Sequence, residues 1–349
     1  MKKLSKLSAL LLALAMMLSL AACSSSGSGD TTPSDTGSTP SDTGSAPSDT
    51  GEDTGADAAS YTVGICQQMT HDALDAATQG FKDALNEALP GQVTFEEQDA
   101  GGEYTNCATI VDGFVAEGVD LILANATYPL QAAASATADI PILGTSVTDY
   151  ATALSITDWT GTVGGNISGT SDLAPLDQQA AMLQELFPDA TTVGLLYCSG
   201  EPNSVYQVTT IQGYLEEMGY TCEQYAFTDV NDLSSVAQTA CDGSDVIYIP
   251  TDNTAAANTE TIANVVIPAG VPVIAGESGI CSGCGVATLS ISYYDLGYTT
   301  GQMAAQILTG EADISTMPIE YAPNVTPMYN AANCEALNLT MPEGYEPIA

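Results

Sequence analysis
One pattern occurs twice in this chain, and that repetition limits its fold more than any other feature. Val63–Cys66 is a short apolar run, Gln67–His71 a turn-rich break, and Ala73, Ala77, Phe81, Leu85 and Leu89 a helical stripe. Val193–Tyr197 is a second such run, broken by Ser199, Gly200, Pro202 and Asn203. The stripe Val205, Val208, Ile211, Leu215 and Met218 follows, with Gly219 as its stop. QGFKDALNEALPG and QGYLEEMG take matching places in the two helices. VDLILANATYPLQAA is answered by SDVIYIPTDNTAAA, and IPILGTSVTD by VPVIAGESG, at a nearly constant offset. Apolar runs bounded by turns read as strands buried on both faces, and their alternation with amphipathic helices predicts parallel sheets. The expected fold class is α/β: two Rossmann-like lobes with parallel sheets. Ligands of such sheets bind at the carboxyl ends of the strands, where the helices begin.

The chain in order adds boundaries. Lys2, Lys3 and Lys6 precede the apolar stretch Leu7–Leu20, which is too short to span a membrane and reads as a signal peptide over 1–22. Leu20-Ala21-Ala22-Cys23 resembles the lipobox of bacterial lipoproteins, which makes Cys23 the expected lipidated residue. Residues 23–60 hold PSDTGST, PSDTGSA and PSDTGED, a composition that cannot bury a core and reads as a disordered stalk. Beyond it, the expected first lobe is 61–175 plus 286–316, and the second is 176–285 plus 317–345. Val286–Ile291 and Pro318–Tyr321 read as strands, and Tyr293–Leu308 and Asn330–Leu337 as helices. Crossings near 175, 286 and 320 predict a multi-strand hinge beside a cleft.

Charge excludes several functions. The leader holds three of the four Lys, so 43 acidic residues face Lys82 alone, and there is no Arg. Nucleic acids and phosphorylated head groups are held by Lys and Arg contacts, so neither is an expected partner. The acidity suits either a salty, divalent-rich exterior or solubility alone. Apart from Cys23, eight Cys remain (66, 107, 198, 222, 241, 281, 284 and 334). Cys281 and Cys284 are close enough in sequence for a small bridge, with buried thiols as the other option. No second CxxC or His cluster completes a zinc site, so no metal is expected.

Catalysis has little support. The chain has one His (His71), no GxSxG, no Walker P-loop and no dinucleotide GxGxxG, so neither an enzyme nor a cofactor is expected. His71 reads as a turn or cap residue, with a ligand contact as the alternative. The strand ends deliver hydrogen-bonding groups instead: Gln67 and Gln68, Thr127 and Tyr128, Thr145 and Ser146, Asn203 and Ser204, Asp252 and Asn253, Glu277 and Ser278. Each has an ordinary role as a turn or cap residue. Together they read as a binding cleft in which Asp252 and Glu277 await a ligand cation.

HDALDAATQGFKDAL, PILGTSVTD, GGNISGTSD, EPNSVYQ, DVIYIPTDN and VATLSISYYDLGYTTGQMAAQIL occur here in that order. In them the chain resembles, over about 61–345, the tryptophan/tyrosine-type substrate-binding lipoproteins of bacterial ABC transporters, of type I periplasmic-binding-protein fold. The resemblance implies hinged lobes, no catalysis, and capture of a small solute, an aromatic or other apolar amino acid, for a permease and its ATPase. The protein would be extracytoplasmic and held to the membrane by its lipid. By the same analogy Thr127, Thr145 and Ser146 would hold an α-carboxylate, and Asp252 or Glu277 the ammonium. A surface sensor that binds a nucleoside or sugar and signals to a membrane partner is the other reading.

Overall fold
The computed structural model describes residues 60–322 and 324–348. The leader, Cys23 and the repeats up to residue 59 lie outside them. No helix among the described residues is long and apolar enough to cross a membrane.

The first lobe alternates strand and helix: β1 (Tyr61–Gln67), α1 (Asp72–Ala88), β2 (Val93–Asp99), α2 (Tyr104–Glu117), β3 (Leu121–Asn125), α3 (Thr127–Ala136), β4 (Ile142–Val147), α4 (Tyr150–Ala153) and β5 (Ile167–Ser171). The second follows with α5 (Leu176–Leu186), β6 (Thr192–Cys198), α6 (Pro202–Glu217), β7 (Thr221–Phe227), α7 (Val230–Gly243), β8 (Val246–Ile249), α8 (Asn253–Ala256), α9 (Thr259–Ala269), β9 (Val273–Ala275), α10 (Ser278–Gly283) and β10 (Ala287–Ser290). The chain then returns through α11 (Tyr293–Leu308), β11 (Glu320–Tyr321), β12 (Thr326–Tyr329), α12 (Ala331–Ala336) and β13 (Glu346–Pro347).

The first sheet runs β11-β5-β4-β3-β1-β2, with every pair parallel. The second runs β13-β12-β10-β9-β8-β6-β7 and is parallel except for β10 against β12. Inner strands such as β3 are buried at every position, whereas the edge strands β2 and β7 are largely exposed. Helices cover both faces of each sheet. Phe81 and Leu85 of α1 join Met303 of α11 on one side of the first sheet, and Phe114 and Leu130 of α2 and α3 cover the other. Val208 and Ile211, and on the opposite face Leu233 and Ile262, do the same for the second sheet.

Two expected boundaries move. Ala287–Ser290 pairs with β9, so it belongs to the second sheet rather than the first lobe. Glu320–Tyr321 pairs with Thr170 and Ser171, so it closes the first sheet rather than the second. The crossings therefore fall after Ser171, between β10 and α11, and between β11 and β12. Pairing moved them: each short strand was legible as a strand, but its neighbour was not.

All eight Cys among the described residues are free thiols. Cys281 and Cys284 are buried in the apolar layer around Ile262 and Val273, which makes them packing residues rather than the small bridge.

Candidate functional site
The carboxyl ends of both sheets face one another across a narrow cavity. Ser146 reaches it from β4, Asp172 from the end of β5, Asn203 from α6, Asp252 and Asn253 from the start of α8, and Tyr293 from α11. Local backbone explains the Ser146 position. The β4–β5 register shifts between Gly144 and Val147, and Ser146 has φ +55°. A bulge of this kind re-aims a side chain, and its strain is of the sort found at functional sites.

Three polar atoms in this wall are buried without a partner: Ser146 Oγ, Asp172 Oδ1 and Asn203 Oδ1. Buried polar atoms are nearly always paired, because an unmade bond costs desolvation without return. The surroundings hold these atoms in place. Asp172 Oδ2 accepts from the Tyr293 hydroxyl at 2.9 Å. Asn203 Nδ2 donates to Thr251 O at 3.1 Å and to Glu201 Oε2 at 3.2 Å, which leaves its oxygen free. Burial pushes the Asp172 carboxyl up, against hydrogen bonds from Tyr293 and Thr148 that stabilise its anion.

The two carboxylates singled out in the sequence are differently engaged. Asp252 caps α8 through Ala255 N at 2.8 Å and takes Cys198 N at 2.7 Å, so both oxygens are bonded. Glu277 caps α10 by accepting from Gly279 N and Ile280 N. Burial pushes each up to about 7, with Glu201 adding repulsion at Asp252. Glu201 itself is saturated by the backbone and side chains of Asn253 and Thr254, at 2.7–3.1 Å.

The remaining expected residues divide. Ser204 lies beneath the cavity, bonded to Asn203 and Asp252. Thr145 is turned into the first lobe, where its hydroxyl joins Thr170 and then Thr300. Gln68 Oε1 accepts from Tyr128 N at 3.2 Å and so braces the start of α3. Thr127 lines a separate crevice with Asp149, Pro202 and Tyr206. The Tyr128 hydroxyl donates to Gly200 O in the other lobe. His71 Nε2 meets Asn253 Oδ1 at 3.2 Å, and Gln207 Nε2 meets Thr148 Oγ1 at 3.5 Å, so these three hydrogen bonds bridge the lobes.

Asp172, Glu201 and Tyr293 were not singled out in the sequence, although each falls within or beside a quoted motif: GGNISGTSD, EPNSVYQ and SISYYDLGY. Their only advance signal was an acid or phenol at a strand end or helix start.

The site contains no fixed positive charge. Among the described residues the one Lys or Arg is Lys82, paired at the surface with Glu97 at 2.7 Å. Burial lowers the His71 pKa and favours its neutral form. The N–H donors nearest the cavity are those of α1, a 17-residue helix whose N-terminus carries no side-chain cap, although Asp72 and Asp75 stand in its first turn. Its first-turn residues Ala73 and Leu74 line the cavity. An uncapped helix start offers backbone N–H groups and a dipole to an anion. No group of three or more His, Cys, Asp or Glu among the described residues is arranged to hold a metal. The wall as a whole can take one cation and one anion of a small solute.

Residues 62–346 match the model of the family described as ABC transporter substrate binding protein. A tyrosine-binding protein of Clostridioides difficile is 30% identical over 280 residues, covering 79% of this chain and 81% of that protein. Among solved structures, an ABC domain from Streptococcus pneumonia in complex with L-Trp is 30% identical with a TM-score of 0.79, over 83% of this chain and 100% of that one. The ligand-free, open structure of a substrate-binding protein with adhesive properties from Clostridium difficile is 32% identical with a TM-score of 0.64, over 82% and 99%. The two-lobed arrangement is the type I periplasmic-binding-protein fold.

Proposed function
The chain belongs to the ABC transporter substrate-binding proteins, and on that premise we propose that it captures an aromatic or other apolar amino acid between its lobes and delivers it to a membrane permease. A protein of this family binds a solute at the extracytoplasmic face and performs no catalysis. In this reading the lipid on Cys23 holds it at the membrane, and residues 24–60 give it reach.

One observation carries the solute class: three unpartnered buried acceptors in one enclosed cavity. A primary ammonium has three N–H donors and one positive charge. Ser146 Oγ, Asp172 Oδ1 and Asn203 Oδ1 supply three acceptors and one carboxylate. Charge-assisted bonds of this kind are about twice as strong as neutral ones. The amino acid's carboxylate then lies at the start of α1, held by backbone N–H groups and the helix dipole without a cationic side chain. In this closed arrangement the cavity has room for little more than a water molecule, so a solute enters it only with the lobes parted. Leu74, Ala73 and Ala256 give it apolar wall. Binding of tyrosine and tryptophan to relatives of about 30% identity supports the same class.

The test is calorimetric titration with tyrosine, tryptophan and leucine, beside the deaminated acid and the α-amide of the best binder. The amino acid should bind, and the deaminated acid should lose about 100-fold or more, the scale of an unpaired buried charge. Equal binding of the deaminated acid, or tight binding of a nucleoside or sugar in place of every amino acid, would overturn the assignment.

A further inference from the structure
The three unpartnered oxygens of the cavity come from both lobes. Ser146 Oγ belongs to β4 and Asp172 Oδ1 to the end of β5, both in the first lobe, whereas Asn203 Oδ1 stands on α6 of the second. Ser146 is 6% exposed, Asp172 4% and Asn203 6%. With the lobes together, the space they line has room for about one water molecule.

Charge decides what suits that space. Asp172, Asp252 and Glu277 are buried in its wall, and Glu201 is buried behind Asn203 and Asn253. Their fields overlap. Burial, and then repulsion from Glu201, pushes the Asp252 carboxyl up; burial, and then repulsion from Asp72 and Asp172, pushes up that of Glu277. Nothing cationic answers them. Among the described residues the one Lys or Arg is Lys82, which lies against Glu97 at the surface, and burial favours neutral His71. A water molecule offers two hydrogens to three acceptors and no charge, so one buried acceptor stays unpaired. Ammonium is close to water in size, has four hydrogens and one positive charge, and makes charge-assisted bonds about twice as strong as neutral ones. Alkali ions carry the same charge but favour a larger shell of oxygens.

We propose that the cavity is a site for one small monovalent cation, ammonium first among them, which joins Ser146 and Asp172 of the first lobe to Asn203 of the second when no solute is bound. The cation takes the place of the solute's own ammonium, so it favours closure and competes with the solute. Capture of an amino acid exchanges one cation for the other after the lobes part. The competition rests on the reading that these acceptors hold the solute's ammonium; the cation site itself does not.

The first measurement uses the full chain without solute. Thermal midpoints are followed as ammonium, sodium or potassium chloride replaces choline chloride at a constant ionic strength of about 0.3 M, which holds screening fixed. Choline is too large for a space of one water molecule. Ammonium should raise the midpoint most and in a saturable way, as a ligand of the folded form does. Asp172→Asn should remove the rise and Ser146→Ala reduce it. Asp112→Asn, which neutralises an exposed acid of α2, should keep it. The second measurement is titration of L-tyrosine in the same salts. Ammonium at about 0.3 M should raise the apparent dissociation constant at least about threefold, in proportion to its concentration. This competition needs no variant, so it decides the case if Asp172→Asn fails to fold. Equal midpoints in choline and in all three small cations would overturn the site. So would a rise that a folded Asp172→Asn retains, which would put the ion elsewhere on the acidic surface. A larger rise with sodium or potassium would overturn the preference for ammonium. Tyrosine binding that ammonium leaves unchanged would overturn the proposal and leave the solute reading intact. If ammonium stabilises the chain through Asp172 while neither L-tyrosine nor L-tryptophan binds, the cation site stands and the solute reading falls.

Discussion
Asp172 and Asp252 show what tertiary context does to two acids in one cavity. Both are buried and both are pushed up by burial, yet Asp252 spends its oxygens on Cys198 and Ala255 while Asp172 keeps one free. Asp172→Asn should therefore abolish the ammonium contact. Breaking a buried charge pair costs about 3–5 kcal/mol, so calorimetry should show affinity falling more than about 100-fold. Glu277→Gln should act mainly on the fold, because it weakens the cap of α10. The midpoint of urea unfolding should drop by an amount equivalent to roughly 0.5–2 kcal/mol. The pH response separates the roles further. Asp252 and Glu277 hold their protons up to about 7 when folded, against about 4 when unfolded. Their contribution to stability is whole below about pH 4 and is lost as pH rises to about 7. Thermal midpoints of the ligand-free protein should fall across that window at constant ionic strength, and Asp252→Asn with Glu277→Gln should flatten the slope. Ammonium binding needs ionised Asp172, whose carboxyl burial pushes up, so affinity should rise with pH as Asp172 ionises. A shared direction for both trends would contradict this division of labour.

Among the elements, α1 and α11 form the tightest pair, and small residues allow it. A Cβ on Gly297 would run into the backbone oxygen of Ala77, one on Gly80 into that of Tyr294, and one on Gly301 into that of Phe81. The close approach sets α11 on the first lobe although β10, just before it, belongs to the second sheet. It also places Tyr293 at the cavity, where its hydroxyl meets Asp172. Gly297→Val should therefore do two things. Overpacking typically costs about 1–3 kcal/mol, readable as a lower unfolding midpoint in urea. Any shift of α11 should also weaken solute binding without a change in charge. Intact binding with intact stability would mean that the helices separate at little cost.

For the whole molecule, three chain crossings beside a closed cavity describe lobes able to rotate about short strands. The expected outcome is a solute-dependent hinge, in which the ligand stabilises the form that it touches from both sides. Small-angle scattering should show a smaller radius of gyration on saturation with the bound amino acid, and an unchanged radius would count against closure. Charge acts on the same scale. From residue 61 onward the chain has 36 acidic residues and Lys82. Their repulsion is screened over about 10 Å at 0.1 M salt and over less above that. Thermal midpoints should rise from low salt to about 0.5 M sodium chloride. A flat response would mean that the acids are too widely spaced to repel.

The sequence by itself determined the alternating elements, the two-lobe plan and the absence of any Arg from the site. Runs such as Val193–Tyr197 and stripes such as Ala77-Phe81-Leu85 are local consequences of burying apolar side chains at strand and helix spacing. It also brought Ser146 and Asn203 to the cleft, because strand ends are where parallel sheets expose side chains. Only the tertiary structure decided which sheet Ala287–Ser290 and Glu320–Tyr321 joined, since a strand's partner lies far along the chain. Only it decided that Asp252 and Glu277 spend their oxygens capping helices while Asp172 keeps one free. A carboxylate is available to a ligand when nothing else in the fold bonds its oxygens. That count of partners depends on residues such as Tyr293 and Cys198, far from the acids they engage, and no local pattern records it.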